Sequence, residues 1–241
     1  MTALKVDPDG NVYILEGDNN YVKKWSPGAS DGIIVTGDSG TNNSNNRIQW
    51  SQAMFIDFTT MVIWIAETSN DRIIKWTSPT RSEVVCGGYG SDNNQLNFPQ
   101  GLFVDINASN TLYVADTNNH RIQMWLPGES TGITAAGITN YYGNSASQLW
   151  YPRTLIVDSN RDMFIADAGN NRIMRWTVGS SVGVVIANDL MSENTFIIPV
   201  QRLLNINFDL NGTLFVLVSP LLKKFSITCR KYLCFANFDR Y

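Results

Sequence analysis

The stretch "ADTNNHRIQMW", Ala115–Trp125, is answered fifty-one residues later by "ADAGNNRIMRW", Ala166–Trp176. Two further copies stand upstream, "LEGDNNYVKKW" at Leu15–Trp25 and "AETSNDRIIKW" at Ala66–Trp76. The closing aromatic therefore falls at Trp25, Trp76, Trp125 and Trp176, and in a looser copy at Phe225, with intervals of 51, 49, 51 and 49 residues. A fixed period near fifty is the mark of a tandem supersecondary unit that cannot bury its own faces alone.

Working outward from the phrase shows what the unit is. The run that ends at an acidic residue in four copies ("NVYILE", "VIWIAE", "TLYVAD", "DMFIAD") and at Val218 in the fifth ("TLFVLV") is rich in β-branched and aromatic residues. So is the run that ends at the tryptophan. Upstream lies a third run that ends in Asp7, Asp57, Asp105, Asp158 or Asp209, and a fourth follows each aromatic ("GIIVTG", "SEVVCG", "GITAAG", "GVVIA", "YLCFA"). Gly, Pro, Asn, Asp and Ser punctuate them. No stretch has the spacing of a long amphipathic helix. Five tandem four-stranded units predict an all-β fold, a β-propeller of antiparallel blades at about residues 1–37, 50–88, 99–137, 152–187 and 200–237 of one domain, 1–241.

The recurring pattern, an Asp-ended strand, a Gly-Asn turn, an acidic strand end, "N-x-R-I", an aromatic and a later glycine, resembles the NHL repeat. The resemblance covers nearly the whole chain. It implies a propeller that in this family usually has six blades, so the five readable units imply either a five-bladed ring or a six-bladed one cut short. It also implies a choice of functions. Some relatives are interaction platforms. Others are metal-dependent lyases or lactonases of the six-bladed kind, and others are RNA-binding or ubiquitin-ligase-associated domains.

The chemistry in the sequence favours the platform. The 241 residues are 44% hydrophobic and 16% charged, with a formal net charge of -3. That is globular composition without the basic excess of a phosphate-gripping protein, so nucleic acid is not the expected partner. The three cysteines are too few and too scattered for a disulfide framework. A lyase of the resembling kind needs several histidines, and His120 stands alone. No basic region followed by an apolar run opens the chain, no apolar run is long enough to span a membrane, and no compartment is assigned. No cofactor is expected. A ring of the five strand-ending aspartates would suggest calcium. Each, however, starts a turn such as "DPDGN", where a carboxylate bonds the backbone two residues on.

Two sets of residues are singled out. The pairs Glu67/Arg72, Asp116/Arg121 and Asp167/Arg172 flank four turn residues, so each pair should face across its hairpin as a structural clasp. An exposed pair of this kind contributes ~0–1 kcal/mol. The candidate ligand-binding residues are Tyr89, His120, Tyr141, Tyr142 and Trp150, in or beside loops that vary between repeats while the strands keep their pattern. Tyrosine, tryptophan, asparagine and serine combine rigid aromatic area with adaptable hydrogen bonding, which suits a protein, a glycan or a small polar ligand.

Overall fold

A computed structural model of the chain describes residues 3–19, 21–37, 50–188, 203–208, 214–218, 221–230 and 233–239. Its strands fall into four-stranded antiparallel sheets in which each strand hydrogen-bonds the next in sequence. The first sheet is β1 (Ala3–Val6), β2 (Val12–Glu16), β3 (Tyr21–Trp25) and β4 (Ile33–Gly37); the second is β5 (Ala53–Asp57), β6 (Val62–Glu67), β7 (Arg72–Ser78) and β8 (Arg81–Gly87). The third is β9 (Pro99–Asp105), β10 (Thr111–Asp116), β11 (Arg121–Trp125) and β12 (Ile133–Gly137); the fourth is β13 (Pro152–Val157), β14 (Met163–Asp167), β15 (Arg172–Trp176) and β16 (Val184–Ala187). Strands β17 (Leu203–Phe208), β18 (Leu214–Val218), β19 (Leu221–Arg230) and β20 (Leu233–Asp239) repeat the order. Among the described residues no helix is long and apolar enough to cross a membrane.

Alternation along the strands sorts the side chains. In β5, Met54 and Ile56 are buried while Phe55 between them is partly exposed and meets Trp64 and Phe103 edge-on, at 5.9 and 5.6 Å between centroids. Successive side chains of a strand point to opposite faces, so such alternation makes one face core. The middle strands are buried on both sides: every residue of β10 and of β14 is buried. Each of the first four sheets carries a register slip at the matching place between its third and fourth strands, at Val22/Lys23, Ile73/Ile74, Ile122/Gln123 and Ile173/Met174, and the second sheet has another at Trp76/Ser78. A bulge there adds twist to the outer strand of each of these four sheets in the same place.

Two compact units are distinguished, residues 1–112 with 125–132, and residues 113–124 with 133–241. In the first, Tyr13, Leu15 and Val22 of one sheet join Met54, Ile56, Ile63, Ile65, Ile74 and Trp76 of the next in a single buried cluster. The tryptophan that closes the repeated phrase is thus sheet-to-sheet packing, burying a large side chain against the neighbouring sheet. In the second, Phe164, Ile165, Ala166, Ile173, Met174 and Trp176 are buried. The glycine before the fourth strand has a packing reason: a Cβ on Gly183 would lie 2.4 Å from the Trp176 ring.

The strand-ending aspartates start turns. Asp7 accepts the backbone N–H of Asp9 and of Asn11, at 3.1 and 2.8 Å. Asp105 accepts those of Asn107 and Ala108, and Asp158 those of Asn160 and Asp162. Asp57 accepts the backbone N–H of Thr59 at 2.9 Å and the hydroxyls of Thr59 and Thr60, and these bonds hold its carboxyl below the usual range. Asp209 lies outside the described residues.

Candidate functional site

The site is built on the hairpin between the second and third strands. In β6–β7 and β14–β15 the cross-strand partners at the turn are Glu67 with Arg72 and Asp167 with Arg172. Between them the chain makes one 3-10 turn, at Thr68–Asn70, Thr117–Asn119 and Ala168–Asn170. One residue then follows in the left-handed region, Asp71, His120 or Asn171, with φ of 52°, 59° and 56°. Short polar side chains and histidine tolerate that region better than branched ones.

The clasps form, and they are buried. Arg121 Nε donates to Asp116 Oδ2 at 2.7 Å and Arg172 Nε to Asp167 Oδ2 at 2.7 Å, and Arg72 pairs with Glu67 in the same way. All three carboxylates are fully buried, as is Arg121. The exposed-pair figure of ~0–1 kcal/mol therefore does not apply. Removing one member of a buried pair typically costs about 3–5 kcal/mol, because the other charge is left without its partner. Burial pushes the Asp167 carboxyl upward, against the pull of hydrogen bonds from the Trp150 amide, Asn170 and Arg172.

The spare donors of these pairs fasten the loop between the third and fourth sheets. Arg172 donates to the carbonyls of Asn144, Ser145 and Gln148 at 2.7, 3.1 and 2.9 Å, and Asn170 Nδ2 to that of Gly143 at 2.8 Å. The Trp150 amide donates to Asp167 Oδ1 at 2.7 Å. Arg121 Nη1 reaches Thr139 Oγ1 at 3.1 Å, and Thr117 Oγ1 donates to the Pro152 carbonyl at 2.8 Å.

The left-handed residue is a latch between sheets. In the first unit Asp71 Oδ1 accepts the Phe98 amide at 2.6 Å; in the second, His120 Nδ1 accepts the Tyr151 amide at 3.3 Å. Phe98 and Tyr151 each precede a proline, and both have positive φ, 57° and 48°. A bulky residue held there costs of order 1–3 kcal/mol and persists only where the surroundings over-determine it. An acceptor aimed at that one amide helps to do so. His120 can accept only with Nδ1 unprotonated, which places its proton on Nε2. Burial lowers its pKa in the same sense.

Around this latch three of the five ligand-binding candidates come together, with one residue the sequence reading omitted. The His120 ring meets Tyr151 at 4.7 Å and Tyr142 at 5.2 Å, both near edge-to-face. Tyr142 stacks on Trp150 at 5.6 Å with 23° between planes, and Trp150 lies 6.2 Å from Tyr151. His120 is buried, Trp150 and Tyr151 are half-buried, and Tyr142 is exposed, so the cluster rises from core to solvent. Trp150 fits because Gly169 lies beneath it: a Cβ there would be 2.5 Å from the Trp150 carbonyl oxygen and 2.6 Å from its ring. Tyr141, next in the chain, is exposed. Tyr89 belongs to the first unit, where it is exposed beside an isolated bridge to Leu96. Among the described residues no group of three His, Cys, Asp or Glu side chains is placed to hold a metal ion.

Sheets of four sequential antiparallel strands, repeated along the chain and packed face to face, are the blades of a β-propeller. The family model described as NHL repeat matches residues 96–125, from the loop before β9 to the end of β11. Among solved structures it is similar to a streptogramin B lyase, with a TM-score of 0.64 at 15% identity over 98% of this chain and 68% of that one. The virginiamycin B lyase from Staphylococcus aureus gives 0.63 at 15% identity over the same shares. A chain of the nidogen/laminin complex gives 0.64 at 14% identity over 96% of this chain and 78% of that one. At such identities the likeness is one of fold. Comparison with curated proteins finds no match.

Proposed function

We propose that the protein is a non-enzymatic binding platform whose recognition surface is the aromatic cluster of Tyr142, Trp150 and Tyr151, seated on His120, with Tyr141 at its edge. The observation that carries this reading is the stacked Tyr142–Trp150 pair, exposed at Tyr142 and anchored below by a buried ring and by Gly169. Preorganised aromatic area costs little entropy on binding. The surrounding asparagines, serines and glutamine of residues 140–148 supply hydrogen-bonding groups without net charge. That chemistry fits a protein, a glycan or a small polar ligand better than a phosphate backbone, which sets the RNA-binding reading behind it. The enzymatic reading is also disfavoured by how the chain uses its one histidine, as an acceptor for a backbone amide.

In this reading the domain is a single propeller over 1–241, with β17–β20 as its fifth blade. Tyr89 would serve a separate loop, in the first unit. The nidogen/laminin resemblance makes a protein partner a fair first class to screen. The test is binding to peptide and glycan arrays by the wild-type chain, Tyr142→Ala and Trp150→Ala. A ligand whose binding falls tenfold or more in both variants, with circular dichroism unchanged, supports the platform. Ligands indifferent to both variants, or metal-dependent turnover of a small ester or lactone, would refute it.

A further inference from the structure

The last sheet ends in a hairpin longer than those of the others. Strand β19 has ten residues and β20 seven, whereas the third strands of the other sheets have five or seven. Strand β18 pairs with β19 over Leu221–Phe225 only. Among the described residues, Ser226–Arg230 pair with β20 alone, in a ladder that runs from Lys224↔Asp239 to Arg230↔Leu233. That ladder has no register slip, unlike the matching strand pairs of the first four sheets. The end of the hairpin is therefore a two-stranded ribbon that runs past its pairing with β18.

A ribbon of two strands is marginal in water by itself. Its connection gives little help. The pairing of Arg230 with Leu233 leaves two residues to close the hairpin, Lys231 and Tyr232. Two-residue hairpins favour Asn-Gly, Asp-Gly or a glycine in the first place, because their torsions include positive φ. The sequence offers none of these there, so the pairing needs support from elsewhere.

The register supplies it. Cys229 of β19 and Cys234 of β20 are direct cross-strand partners, one step inside the closing pair. Direct antiparallel partners have Cα atoms ~4.5–5.5 Å apart, within the ~4.4–6.8 Å that a disulfide spans. A slip of one residue would send the two positions to opposite faces of the ribbon.

We propose that Cys229 and Cys234, placed opposite each other by this register, form a reversible disulfide that staples the β19–β20 ribbon. The bridge forms by exchange with a small disulfide such as oxidised glutathione. One cysteine thiolate attacks a sulfur of that molecule, which makes a mixed disulfide and expels one small thiol. The other cysteine thiolate then attacks the protein-side sulfur, closes the Cys229–Cys234 bond and expels the second small thiol. Two protein thiols are oxidised and one small disulfide is reduced to two thiols. The closed loop is short, so the bridge constrains the unfolded chain little. Its effect is on the ribbon and not on the whole domain. Cys86, the third cysteine, is buried in β8 of the first unit and takes no part. The proposal stands apart from the loop site.

Equilibration of the full 241-residue chain with reduced and oxidised glutathione, then acid quenching, alkylation and peptide mass spectrometry, tests it. Free thiols should fall from three to one, with Cys229 joined to Cys234 and Cys86 free. The folded chain should close the bridge at a glutathione ratio at least about tenfold more reducing than the same chain in urea, since only the fold holds the register. Oxidation should slow amide hydrogen exchange across residues 226–237. Cys229→Ser and Cys234→Ser should exchange there as the reduced wild type does, whatever the glutathione ratio. Three free thiols under oxidising glutathione would overturn the proposal, as would a bridge to Cys86 or between two chains. Equal midpoints with and without urea, or hydrogen exchange indifferent to the bridge, would overturn it too.

Discussion

Replacing Arg121 by alanine isolates the worth of a buried clasp. The substitution leaves the Asp116 carboxylate fully buried beside Asn119 Nδ2, 2.8 Å away, without the guanidinium that sits 2.7 Å from the same oxygen. Truncating one partner of a buried pair costs about 3–5 kcal/mol. In a chain of this size each kcal/mol moves the unfolding midpoint by about 2–4 °C, so a fall of roughly 6–20 °C is expected. Two comparisons make the number interpretable. Glu83→Ala removes the exposed partner of Lys75 and should cost ~0–1 kcal/mol. Replacing both members, Asp116→Leu with Arg121→Met, should recover most of the loss, since an apolar pair of similar volume leaves no buried charge. Urea unfolding followed by tryptophan fluorescence gives all three values. A loss for Arg121→Ala no larger than that for Glu83→Ala would falsify the view that buried charge pairing holds the hairpin.

Two further outcomes follow from the latch and the cluster. His120 is neutral when folded and its pKa is lowered by burial, so the unfolded chain binds a proton more readily. Stability should therefore decline as pH falls through the ordinary histidine value, and go on declining until the lowered folded value is passed. His120→Asn, which installs the residue found at position 171, should flatten that part of the profile measured by urea unfolding, and an unchanged slope would show that the proton is taken up elsewhere. Gly169→Ala pushes a methyl group into the Trp150 carbonyl and should cost about 1–3 kcal/mol, as overpacking does. The Trp150 emission spectrum should shift with it; retention of both stability and spectrum would mean that the backbone yields without strain.

Much of the architecture is legible in the sequence because period and alternation are properties of the chain itself. The repeated phrase placed Glu67 opposite Arg72 and Asp167 opposite Arg172, since four residues between strands leave a hairpin little choice. The burial of those pairs is not written locally. For Asp167 and Arg172 it comes from the loop over residues 143–148, whose carbonyls cover Arg172 from more than twenty residues away. The role of His120 was hidden for the same reason, its partner amide lying thirty-one residues on. A signal did exist. Asp71, His120 and Asn171 are all residues that tolerate the left-handed region, and Phe98 and Tyr151 are aromatics before proline at matching places. Read together, these two series would have added Tyr151 to the candidate site.

That latch position behaves as a socket. A left-handed backbone holds the side chain at a fixed bearing, and either a carboxylate (Asp71) or an imidazole (His120) completes the wiring. The proton sensitivity of the fold is therefore a property of whichever residue is plugged in, and not of the scaffold. Moving a histidine from one repeat to another should transfer acid response from one sheet junction to the next, so that a chain of identical topology could be tuned to loosen at a chosen seam.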